Sequence, residues 1–96
     1  MRPQDVLNLI RSARPELERL HGVRALSVFG SAARGDSHEG SDVDVLVAFD
    51  GPATSARYFG VQFHLEDLLG RPVDLVTEAA LRPELRPHVV REAIRV

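Results

Sequence analysis

Two aspartates one residue apart, Asp42 and Asp44, stand at the head of the run SDVDVLVAF at 41–49. Strands disfavour aspartate, and a carboxylate beside an apolar core has to be paired, hydrated or neutralised. Residues two apart in a strand face one side, with Cα atoms about 6.6–6.8 Å apart. Two carboxylates so placed repel each other. A hard divalent cation answers that repulsion, since Mg²⁺ takes oxygen ligands at about 2.0–2.1 Å and keeps water and substrate phosphates as its remaining ligands. An open, oxygen-only donor set favours Mg²⁺ or Mn²⁺ over zinc. A third aspartate, Asp74 in PVDLV, can join them if its strand lies beside theirs, because Val73 and Leu75 face the opposite way. Three carboxylates suffice for two cations about 3.5–4 Å apart, the arrangement that serves in-line attack on phosphorus.

Gly30-Ser31, upstream of the pair, supplies the complementary half. Glycine lets a backbone approach a phosphate without a Cβ clash, and the amides after it can form an anion-binding nest. Ser31 adds a hydroxyl, and a helical turn starting there would add free N–H groups. Arg34, one turn on, could clamp a phosphate or a pyrophosphate leaving group. The competing expectations are plain: Asp42 and Asp44 as solvated strand-entry residues, Asp74 as an exposed turn residue, Arg34 as a surface cation paired with Asp36. The first of these leaves the Gly-Ser pair unexplained.

The elements that must hold these groups follow from periodicity. Val6, Leu7, Ile10, Ala13, Leu17 and Leu20 recur at helical steps, with Pro3 at the start and Gly22 at the stop. Pro15 removes a donor mid-helix and predicts a kink or two short helices. RALSVF at 24–29 reads as a strand, 30–41 as a loop with one helical turn, and 42–49 as a strand buried on both faces. Residues 54–69 read as a helix ending at Gly70, 72–77 as a third strand, and His88 onwards as a last helix. Strands separated by helices predict an α/β fold with a small mixed sheet, in the order α-β-α-β-α-β-α. Tyr58 and the four phenylalanines are expected to pack inside, His21, His64 and His88 to lie at the surface or in packing. His38 lacks a second histidine at metal spacing, and Asp36 and Glu39 read as solvated loop charges.

The bulk properties narrow the chemistry further. Ninety-six residues are expected to form one domain, without a separate substrate-recognition module. A net charge of −2 gives no general affinity for nucleic acid backbone, so direct nucleic-acid binding is not expected. All twelve cations are arginine, so no lysine serves as nucleophile or phosphate ligand. There is no cysteine, which excludes thiolate catalysis and thiolate zinc sites. The longest uninterrupted apolar run is Val45–Phe49, far short of the ~20 residues of a membrane span. No apolar signal core opens the chain, and a cytoplasmic location is the default expectation.

Gly30-Ser31, ten residues, then Asp42-x-Asp44 resembles the G-S-x10-D-x-D signature of the DNA polymerase β-like nucleotidyltransferases, and among them the minimal, MNT-type members. Ala33-Arg34-Gly35, the SDVDVLV continuation and the stretch from Gly70 to Val76 resemble the same family, so the likeness runs from about Val28 to Val76. It implies one minimal nucleotidyltransferase domain over 1–96 that transfers AMP from ATP to a hydroxyl. Asp42, Asp44 and Asp74 would be the catalytic, metal-holding residues, Asp74 also helping to take the acceptor's proton. Gly30, Ser31 and Arg34 would bind the nucleotide. Similar members are antitoxins encoded beside HEPN-type toxins and transfer AMP to a toxin tyrosine. The alternatives are an antitoxin acting by occlusion alone, or transfer to RNA ends or a small hydroxyl compound.

Overall fold

A computed structural model describes residues 2–36 and 41–96; His38 and Glu39 lie outside the described residues. The chain runs α1 (Pro3–His21), β1 (Val23–Phe29), α2 (Gly30–Arg34), β2 (Val43–Phe49), α3 (Ser55–Leu69), β3 (Val73–Thr77), α4 (Arg86–Glu92) and β4 (Ile94–Arg95). The strands form one mixed sheet in the order β3-β2-β1-β4. β2 pairs antiparallel with β1 and parallel with β3, which makes β2 a central strand. Its apolar continuity from Val45 to Phe49 follows from that position, since all five residues are buried.

Helices α1 and α3 cover one face of the sheet. Ile10 and Leu17 of α1, Val61 and Leu65 of α3, and Val28, Val43, Val45, Val47 and Leu75 from the strands form the core there. The alternation of side chains along β2 and β3 sends Asp44 and Asp74 to the other face. Leu65 is fully buried, and Leu65→Ala is expected to cost about 2–5 kcal/mol in urea denaturation.

The helical turn expected within 30–41 is present as α2, Gly30–Arg34. Three expectations need correction. The first helix is one element through Pro15, not two short helices. Pro15 is exposed, and so is Arg11, whose carbonyl would otherwise accept from position 15. A fourth strand, β4, follows the last helix and pairs with Ser27 and Val28 of β1; two residues are too few to leave an alternating pattern. Not all phenylalanines are core: Phe49 is buried, but Phe59 and Phe63 are 48% and 58% exposed and stack on each other on the outer side of α3. Phe63→Ser should therefore leave the denaturation midpoint almost unchanged, in contrast to Leu65→Ala.

Tyr58 does pack inward, and its hydroxyl donates to the Leu75 carbonyl, joining α3 to β3. Among the described residues no helix is long and apolar enough to cross a membrane.

Candidate active site

The parallel register of β2 and β3 sets Asp44 directly beside Asp74. Both carboxyls therefore leave the same face, and they lie within hydrogen-bonding reach of each other. Asp42, exposed just ahead of β2, is near enough to add to the negative potential at Asp44. Burial first, then the charges of Asp74 and Asp42, hold the Asp44 carboxyl above the ordinary carboxylate range.

The antiparallel register of β1 and β2 brings the Gly-Ser turn to the same place. Phe29 is opposite Asp44, so Gly30 at the strand end lies against the Asp44 side chain. Its φ is +70°, and a Cβ at this position would run into the Asp44 carboxylate. Glycine is required here twice over, by backbone conformation and by close approach. Ser31 follows in the first turn of α2, whose end is closed by the Gly35 and Asp36 amides donating to the Ser31 carbonyl at 3.0 and 3.1 Å.

Two residues not expected from sequence hold this arrangement. Arg71 donates to the Ser41 carbonyl from Nη2 at 2.8 Å and from Nε at 3.2 Å, and to its hydroxyl at 2.9 Å, pinning the residue before Asp42. Glu92, at the end of α4, accepts from the Gly30 amide at 2.6 Å and from Arg34 Nη1 at 2.9 Å. The bond from Arg34, then that from the Gly30 amide, holds the Glu92 carboxyl below its usual range. Arg34 also reaches Asp36 at 3.3 Å, the pairing expected as its surface role. A signal for Glu92 did exist: a carboxylate in the last turn of a helix opposes the helix dipole and needs an outside partner. Strand β3 is held at its entry by Val73, whose amide donates to Glu66 at 2.9 Å and whose carbonyl accepts from Gln62 at 3.1 Å.

The donor set suits a hard divalent cation, since its oxygens are all carboxylate and their mutual repulsion is visible at Asp44. Among the described residues, no three ligating side chains are already gathered into a metal-holding group. The Asp44–Asp74 pair is thus the formed part of the site, with Asp42 at its rim.

The family model of the nucleotidyltransferase domain matches residues 10–96, and the chain belongs to that family. It is 36% identical over 93 residues to the protein adenylyltransferase MntA of Thermococcus cleftensis, covering 97% of this chain and 94% of that protein. A solved structure assigned as a minimal nucleotidyltransferase superposes with a TM-score of 0.85 at 43% identity, covering 100% of this chain and 97% of the other. The fold also matches a complex of a tri-AMPylated Shewanella oneidensis HEPN toxin with its MNT antitoxin, with a TM-score of 0.69, 19% identity and coverage of 97% and 70%.

Proposed function

We propose that this protein transfers AMP from ATP, with Mg²⁺ or Mn²⁺, to a tyrosine hydroxyl of a HEPN-type toxin, and so acts as its antitoxin. The observation that carries this is the register that sets Asp44 beside Asp74, with Gly30 against Asp44. The protein adenylyltransferase relative and the AMPylated toxin complex of like fold support the adenylyl group and the partner.

Asp42, Asp44 and Asp74 hold the cation, which when bound lowers the acceptor hydroxyl's pKa and offsets charge on the α-phosphoryl group. Asp74, the more exposed of the paired carboxylates, faces the acceptor and takes its proton. Ser31 and the amides after Gly30 hold phosphate oxygens, while Arg34 takes charge on the departing pyrophosphate. The sheet face opposite α1 and α3 is where the acceptor approaches.

The test uses ATP labelled at the α-phosphorus, Mg²⁺ and the HEPN-type protein encoded beside this one. Label should appear on that protein's tyrosine, with pyrophosphate released. An unlabelled partner that nonetheless binds this protein would rule the proposal out and leave occlusion.

A further inference from the structure

Arg34 is a long, half-exposed side chain at the end of a five-residue helix, and nothing in α2 itself fixes where its guanidinium points. Glu92 does. One carboxylate oxygen takes the amide of Gly30, the first residue of α2, and the other takes Nη1 of Arg34, its last. The same carboxylate thus spans the helix that bears the phosphate-binding groups and ties both ends to α4. Asp36, two residues beyond, draws Nε from the other side.

We infer that Glu92 is a positioning residue for the nucleotide: it fixes the Arg34 guanidinium toward the phosphates and occupies the Gly30 amide, leaving phosphate to Ser31 and the amides beyond. This rests on the proposed nucleotide site but concerns binding, so it can be tested apart from transfer. A geometric and a purely electrostatic role differ in sign. Removing a negative charge beside a polyanion site would by itself tighten ATP binding. Losing the orientation of a charge-assisted donor would weaken it.

The experiment is calorimetric titration of MgATP into the wild type, Glu92→Gln, Arg34→Gln and the double variant. Glutamine can still accept from the Gly30 amide but carries no charge to hold the guanidinium. Glu92→Gln is expected to weaken ATP about tenfold, and to add nothing further once Arg34 is glutamine. Unchanged or tighter binding by Glu92→Gln overturns the inference, as does an equal loss in both backgrounds, which would mark a merely structural role. Should Glu92→Gln not fold, Arg34→Lys keeps the charge without the two-sided grip, and undiminished ATP binding there overturns it equally. Failure of the transfer reading looks different: the binding pattern holds while the partner stays unlabelled. Conversely, a labelled partner with equal ATP affinity in wild type and Glu92→Gln leaves transfer standing and removes the role of Glu92.

Discussion

Asp44→Asn should abolish adenylyl transfer, by about a thousandfold or more, while leaving the protein folded and more heat-stable at pH 7. Loss of activity follows because the change removes the carboxylate at the centre of the cluster. The stability gain follows from linkage. Burial and the neighbouring charges raise the Asp44 carboxyl above its unfolded value. The folded state therefore favours the protonated form, and that contribution is present below the unfolded pKa of about 3.9 and lost as pH rises through the higher folded value. At pH 7 the wild type carries a charge that its fold disfavours, and asparagine does not. Thermal scans should put the variant above the wild type at pH 7, with the gap closing as pH falls toward 4. On the proposed cation site, added Mg²⁺ should raise the wild-type midpoint, as a ligand of the folded state does, and leave that of the variant almost unmoved. A variant that is inactive because it unfolds would contradict this reasoning.

Gly30→Ala is expected to be the second severe change. The new methyl group would meet the Asp44 carboxylate, and the backbone would hold alanine at φ +70°. The two effects together should cost about 1–3 kcal/mol of stability, and displacement of Asp44 should lower transfer by about a hundredfold. Gly35→Ala separates them. Gly35 has φ +83° with no described residue within 4 Å of a Cβ, so it carries backbone strain without the collision with Asp44. Its stability loss should be the smaller, about 1 kcal/mol, and its transfer loss well below that of Gly30→Ala. Equal transfer losses in the two variants would show that the contact with Asp44 does not matter.

The sequence makes the aspartates of the candidate site legible because each one breaks a local rule. An aspartate at a strand entry is out of place, and so is its repeat two residues later. Asp74 repeats the anomaly in PVDLV, and the register between β2 and β3 makes it the neighbour of Asp44. Helices α1 and α3 were legible from their apolar spacing. What escaped was whatever depends on distant contacts. Glu92 meets Gly30 and Arg34 from 58 and more residues away, and no local periodicity reports that. Arg71 reaches back thirty residues to Ser41. β4 consists of two residues whose strand partner is the distant β1. Phe59 and Phe63 misled because helical spacing marks apolar residues without saying which side of the helix the sheet will cover. Pro15 lies on the exposed side of α1, where the missing donor does not divide the helix.

The central claim is that Asp44 and Asp74, from adjacent parallel strands, share one divalent cation at the nucleotide. Mn²⁺ binding followed by electron paramagnetic resonance, with ATP present, reports on this directly. The wild type should take up Mn²⁺ together with ATP, and Asp44→Asn and Asp74→Asn should each lose that ion while remaining folded. Mn²⁺ uptake by either variant equal to that of the wild type would contradict the account.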